Sequence, residues 1–190
     1  IYLWNYSTKY NVRHLPDVPN FTPKAIGSYY KRMFKYSFGT VLEAESDYWF
    51  FGHLNFYVFS KVMWDHTTDV EQLLDEYRTL MFGKGAAPMK EVMEDLERHW
   101  LKNIVGNTVE TSVGPASAPP SEHKLWNTIY SPAEIKRINA LFDKAVQLAG
   151  KDKDAVESIK FFRTALWKPT EEAAVSYFRK AAAVEHWKSD

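Results

Sequence analysis

The chain has no cysteine, which excludes a disulfide, a thiolate nucleophile and a Cys-ligated metal. It has no net charge either, because 24 Lys and Arg balance 24 Asp and Glu. A nucleic-acid footprint needs a basic stripe, and an electrostatic membrane binder needs a cationic face, so neither partner is expected. An uninterrupted apolar run is also missing. The longest one, residues 48–64, contains Gly52, His53, Asn55 and Lys61 and is short for a bilayer crossing, so no membrane span is expected. The six His stand singly, with no His-x-x-x-His pair, so no metal site is predicted. Gly-x-Ser-x-Gly, Walker and dinucleotide fingerprints are absent, and no cofactor is predicted. Gly83-Lys84-Gly85 closes a helix instead of following a strand, which makes it a poor phosphate loop. The chain opens on Ile1 with neither Met nor a signal-like segment, and this reads as an excised piece of a longer protein. The missing cysteines fit a cytoplasmic and a bacterial exported protein equally well.

Aromatic residues, by contrast, are plentiful. They make up 16% of the chain and include seven Trp, enough to leave rings over for stacking on a flat ligand after the core is filled. The length of 190 residues supports one core, or one core and a small satellite.

The organising stretch is 39–47, a short strand ending in acids, followed at once by a helix over 48–64 that is apolar on nearly every side. Strand, acidic rim and buried helix is the order in which a (β/α) barrel presents reactive groups. Upstream, residues 1–7 read as a strand with Tyr2, Trp4 and Tyr6 on one face and Leu3, Asn5 and Ser7 on the other. A Pro- and Asn-rich loop follows, and then a helix capped by Thr22 with Pro23 at its first position, running to about Ser37. Downstream, Thr68-Asp69-Val70-Glu71 reads as a capping box in which Thr68 reaches forward and Glu71 back. The helix it opens carries Val70, Leu73, Leu74, Tyr77 and Met81, and ends at Gly83 and Gly85. The next helix starts at Pro88 with the stripe Met89, Val92, Met93, Leu96 and Trp100. Residues 106–121 read as a loop or flexible link. After it, Leu125, Trp126, Ile129 and Tyr130 form an anchor, and Ser131-Pro132-Ala133-Glu134 is a second capping box. Helices near 132–149, 153–167 and 170–187, broken by Gly150 and Pro169, predict an up-down bundle.

The expected fold is therefore an α/β barrel remnant, the last βα units of a TIM-type barrel, followed by a mostly helical domain. A whole barrel needs about 250 residues. The expected divisions are 1–65 for the βα units, 66–105 for a helical hairpin packed on them, 106–121 for the flexible linker and 122–190 for the bundle.

Glu43 and Glu45, two apart on a strand, share one face roughly 6.6 Å apart along it. Glycoside hydrolysis uses two carboxyls at about 5–5.5 Å or about 6.5–9.5 Å, so Glu43 is a candidate catalytic group and both acids are candidates for binding sugar hydroxyls. Rim carboxylates that pair with Arg or cap the next helix are the plain alternative. Trp4 and Tyr6 could stack under a pyranose or simply pack on a helix, and Asn5 could bond a hydroxyl. His14, Asp47 and His53 are weaker candidates: Asp47 reads as a first-turn acid and His53 as a hydrogen-bonded core histidine.

Residues 54–97 resemble a family of large carbohydrate-active-like proteins catalogued only as a domain of unknown function and frequent in gut Bacteroidetes. Met63-Trp64, Asp69-Val70, Tyr77, Gly83 and Ala86-Ala87-Pro88-Met89 carry the resemblance. Residues 29–46 look like that family's last barrel strand, and residues 1–7 like the strand before it. The resemblance covers 1–105 well and 122–187 only in style. It implies a glycoside-hydrolase-like (β/α)8 barrel similar to those of α-glucuronidases and β-hexosaminidases, in a secreted or periplasmic parent. Glu43 and Glu45 would then bind substrate, while the principal catalytic acid would sit on earlier strands absent from this chain. The expected function is accordingly that of a C-terminal piece which binds an oligosaccharide or polysaccharide. The remainder of the barrel, from the parent or from another chain, would be its partner. A non-catalytic helical scaffold or protein-interaction domain is the alternative.

Overall fold

A computed structural model describes residues 1–8, 15, 17–44 and 49–189, with backbone alone at 6–8, 44, 117 and 184–189. The protein is predominantly helical. Strand β1 (Tyr2–Thr8) precedes helix α1 (Pro23–Met33), with residues 18–22 ahead of the helix buried, and strand β2 (Gly39–Ala44) returns beside β1. Helices α2 (His53–Trp64), α3 (Val70–Phe82) and α4 (Ala86–Arg98) follow. The last of these continues as a π-helical stretch, His99–Val105. A hairpin of β3 (Thr108–Thr111) and β4 (Gly114–Ser117) precedes the short α5 (Glu122–Lys124). Helices α6 (Pro132–Ala149), α7 (Lys153–Phe162) and α8 (Lys168–Ser189) complete the chain.

Strands β1 and β2 run parallel, in the register Tyr2 to Gly39, Leu3 to Thr40, Trp4 to Val41 and Asn5 to Leu42. A strand, a crossover helix and a neighbouring parallel strand make one βαβ unit, as the sequence predicts. The barrel does not follow from it. Among the described residues there are only two sheets, each of two strands, and after β2 the chain turns to helices α2, α3 and α4 without a third parallel strand. Barrel strands are covered on both faces. Here one face packs on the helices through Leu3 and Leu42, whereas the other leaves Tyr2 81%, Trp4 65% and Val41 56% exposed. The expected barrel mouth is absent from the described fold.

Helix α1 forms where Pro23 supplies the fixed φ of a first helical position, and Lys31 and Arg32 in its last turn suit the dipole. It packs on α2 through Ile26 and Tyr30 against the fully buried Leu54, Val58 and Val62. One continuous core runs on through Leu74, Phe82, Met89 and Leu96 to Trp126, Phe142, Phe162 and Trp167. Gly83 and Gly150 end α3 and α6. The anchor Leu125, Trp126, Ile129 and Tyr130 is buried throughout.

Three local readings change. Asp69, rather than Thr68, caps α3, its carboxylate accepting from the Gln72 N–H at 3.1 Å. The Thr68 hydroxyl instead donates back to the Asp65 carbonyl at 2.7 Å, and Glu71 faces Lys24. At the second box, Ser131 does accept from the Glu134 N–H, but the Glu134 carboxylate leaves for His99 and Arg137. The stretch read as a link holds the β3–β4 hairpin, whose stem is closed by Asn107 and Ala118.

The approach of α1 to its neighbours depends on Gly27. A methyl group there would meet Val70 Cγ2 at 2.7 Å and Val58 Cγ1 at 2.9 Å. Alanine is the better helix former by about 1 kcal/mol, but overpacking costs about 1–3 kcal/mol, so the steric term should win. Gly27→Ala is expected to lower the urea midpoint, and the double variant Gly27→Ala with Val70→Ala to recover part of the loss. A midpoint unchanged in Gly27→Ala would show that the α1–α3 contact is slack.

Candidate functional site

The open face of the β1–β2 sheet gathers the predicted residues that can act together. Alternation along β1 sends Trp4 outward beside Val41 of β2, and two steps of β2 bring Glu43 to the same face. The Trp4 indole Nε1 donates to Glu43 Oε2 at 3.1 Å. This bond fixes the ring edge and leaves the ring largely open to solvent. Tyr2 lies over Gly39, where any Cβ would meet its ring at 3.1 Å, so the absence of a side chain at 39 lets the phenol cover the start of β2. The result is an aromatic surface, Tyr2 and Trp4, bordered by one carboxylate.

The other candidates divide. Asn5 is half-buried and aligned with Leu42, on the face that Leu3 turns to the helices. It therefore stands apart from the Trp4 face. Tyr6 shares the alternation of Trp4 but is described by backbone alone. Glu45, Asp47 and His14 lie outside the described residues. His53 is a core residue: it stacks on Phe50 at 4.2 Å, its Nδ1 meets the Phe50 carbonyl at 2.7 Å, and its Nε2 lies 3.3 Å from the Tyr77 hydroxyl. A carbonyl can only accept, so Nδ1 carries the proton and Nε2 accepts from Tyr77. Burial pushes the His53 pKa down to about 4, and the ring is neutral at physiological pH.

Sequence reasoning missed the groups that hold this unit in place. Thr22 makes no side-chain cap on α1. Its own N–H donates to Asn55 Oδ1 of α2 at 2.8 Å, and the Ala25 N–H donates to Glu97 Oε1 of α4 at 2.9 Å. Asn55 Nδ2 returns to the Asn20 carbonyl at 2.9 Å. The N-terminus of α1 is thus capped from two other helices by side chains 33 and 72 positions away, a distance at which local pattern carries no signal. Around Glu97 stand Lys24, which bonds Glu94 at 2.8 Å and Glu71 at 2.5 Å, and the buried Arg78, paired with Asp75. Arg78 Nε has no hydrogen-bond partner among the described residues. It borders, together with Glu97, a void of about 10 Å³, which is the size of one water. Burial pushes the Glu97 pKa up to about 7, against the pull of the Ala25 N–H and Lys24.

A second knot joins α4 to α6. His99 Nε2 meets Glu134 Oε1 at 2.7 Å, and Arg137 binds both Glu134 and Asp95. The Arg137 guanidinium, with His99, holds the Glu134 pKa down to about 2. Each knot buries part of its charge, Glu97 and Arg78 in the first and Asp95 and His99 in the second, while Lys24, Glu71 and Arg137 reach solvent, and the void beside Glu97 and Arg78 is too small for a substrate. Among the described residues no three His, Asp or Glu side chains converge as a metal site requires. No helix described is long and apolar enough to cross a membrane.

The family described as "Domain of unknown function (DUF4838)" matches residues 1–95 of the 190. Strands β1 and β2, helices α1 to α3, most of α4 and the Trp4–Glu43 face all lie within the match. No curated protein and no solved structure matches the chain.

The state of Glu97 gives stability a pH dependence. Its folded pKa, about 7, lies above the ordinary 4.5, so between these values the folded state holds a proton that the unfolded state has lost. Unfolding free energy then falls as pH rises through this window. In Glu97→Gln, which keeps a carbonyl for the Ala25 N–H, that fall should be missing. Its stability relative to the parent should rise between pH 4.5 and 7 by on the order of 3 kcal/mol. Urea unfolding at a series of pH values measures this, and parallel curves for the two proteins would place Glu97 in an ordinary solvated state.

Proposed function

The chain belongs to the DUF4838 family, and on that footing we propose that the open face of its β1–β2 sheet binds an oligosaccharide or polysaccharide. One observation carries the reading: an exposed indole whose N–H is tied to a carboxylate on the neighbouring strand. A ring held by its edge presents a flat apolar face of fixed orientation, which suits the C–H face of a pyranose. The carboxylate beside it accepts hydroxyl protons. Tyr2 extends the stacking surface along the strand, and Tyr6, described by backbone alone, is a further candidate on sequence alternation. Glu45, which lies outside the described residues, remains a candidate acceptor on its spacing from Glu43 in the sequence.

Binding suits this face better than hydrolysis. Cleavage of a glycosidic bond requires two carboxyls flanking the bond, and Glu43 is the one acid that the described residues bring to the face. Glu43 is accordingly a substrate-binding group, and the acid that cleaves, if the parent protein is a glycoside hydrolase, comes from outside this chain. A secreted or periplasmic parent fits such a substrate. The alternative, a helical scaffold or interaction domain, draws support from the two partly buried ionic knots, which tie the helices to one another.

Affinity electrophoresis of the 190-residue chain through gels containing single soluble polysaccharides should retard the protein in at least one of them. Trp4→Ala is expected to weaken retardation about tenfold or more, since removing a fully used aromatic platform costs upwards of about 1 kcal/mol. Glu43→Gln, which can still accept from the indole, should weaken it less. A wild-type protein retarded by no polysaccharide, or a Trp4→Ala variant retarded like the wild type, would remove the proposal.

A further inference from the structure

Helix α8 presents an outward stripe of charged and small residues whose spacing is the same read in either direction. Its members are Glu171, Glu172, Val175, Ser176, Arg179 and Lys180, which line one shallow groove of about 470 Å³. Glu171 and Val175 also line a second groove of the same volume on the other side of the ridge, walled by Ile135, Ala174 and Phe178. Val175, 48% exposed, is thus the apolar crest between two concavities.

About the midpoint between Val175 and Ser176 the stripe is antisymmetric in charge. Glu172 lies as far before that point as Arg179 lies after it, and Glu171 as far before as Lys180 lies after. Both basic residues are exposed, and neither makes an ion pair among the described residues. Glu172 has Lys168 at 3.6 Å, and Glu171 accepts from the Asn139 amide, so the acids stand at the leading half of the stripe and the bases at the trailing half. A helix laid antiparallel on this one, with its own midpoint over the same point, would set each acid against a base. The residues at the crossing, Val175 and Ser176, are small enough for axes about 8–10 Å apart. The partner that has such a helix is another copy of this chain.

We propose that the outer face of α8 is a self-complementary interface through which two copies of the chain pair about a two-fold axis, α8 antiparallel to α8. In a two-fold contact every pairing occurs twice. Glu171 thus faces Lys180 of the other copy, Glu172 faces Arg179, and the Val175 crests lie side by side over the grooves. This surface is separate from the Trp4–Glu43 face and does not depend on carbohydrate binding.

Sedimentation velocity across a concentration series should show a reversible monomer–dimer equilibrium of the whole chain that weakens as salt is raised. Val175→Asp places two carboxylates at the crossing and should leave monomer only. Glu172→Arg and Arg179→Glu should each weaken association about tenfold, because each reversal turns two attractive pairs into two repulsive ones. The double variant Glu172→Arg with Arg179→Glu should restore it, the pairs being re-formed with exchanged signs. All these positions are exposed on a helix, and far-UV circular dichroism should show the helix content unchanged. A wild-type chain that is monomeric at every concentration would overturn the proposal. So would a dimer indifferent to Val175→Asp, or a double variant no tighter than the singles.

Discussion

Everything on the N-terminal side of this molecule depends on how the first turn of α1 is satisfied. A helix start leaves N–H groups without partners, and burying them unpaired is costly. Thr22 and Pro23 are buried, so water cannot serve. The protein brings Asn55 from α2 and Glu97 from α4 to this end, and in doing so it fixes α1 against both helices at once. The Asn55 amide also holds the carbonyl of Asn20, which anchors the loop leading in from β1. The Thr170 hydroxyl, donating to the Asp17 carbonyl at 2.7 Å, ties the same loop to α8. A loop can be buried only when its backbone is paired, and here its partners come from α2 and α8.

This arrangement explains a two-stranded parallel sheet, an otherwise weak element. The strands have no further neighbours among the described residues; their inner face is held by Leu3 and Leu42 on the core and their ends by α1 and the anchored loop. The Thr40 hydroxyl adds a cross-strand bond to the Leu3 carbonyl at 2.8 Å. With one face secured, the other is free to carry Tyr2, Trp4 and Val41 in solvent. Exposed aromatics in a row are uncommon on a surface without a partner, and a rigid support is what lets them keep a fixed geometry.

Much of this was legible in the residues. The helical stripes of α3, α4, α6 and α7 follow from spacing alone, as do the breaks at Gly83 and Gly150, the alternation of β1 and the parallel βαβ unit. The barrel was not there to be read. Strand, crossover helix and strand look the same locally whether two strands pair or eight close a ring, because closure is decided by what lies on the outer edges. Nor could Asn55, Glu97 and Arg78 be picked out. Glu97 sits in a helix among other acids, and only the fold brings it to the start of α1. Asp69 caps α3 by accepting from the Gln72 N–H, while the Thr68 side chain is turned back to the Asp65 carbonyl, a choice that two adjacent capping residues leave open. The Trp4–Glu43 pair was anticipated as two candidates, but their direct bond depends on the register of Trp4 with Val41, which no pattern in either strand specifies.

The Trp4–Glu43 bond and the α1 cap place carboxylates in opposite circumstances. Glu43 is half-exposed and accepts the Trp4 indole N–H. Glu97 is enclosed and short of cations, since Lys24 is shared with Glu71 and Glu94 and Arg78 is turned to Asp75. Desolvation dominates where compensation is divided, so the buried acid is the one driven toward neutrality, while Glu43 stands at a half-exposed position on the sheet face. A site near Glu97 would have to displace the cap of α1 and loosen the sheet support with it. A ligand on the Trp4 face disturbs no such bond, provided it leaves the indole–carboxylate contact in place. The division of labour between a sealed acid that positions and an open acid that contacts follows from burial alone, and it makes the sheet face the place on this half of the molecule where binding costs the fold least.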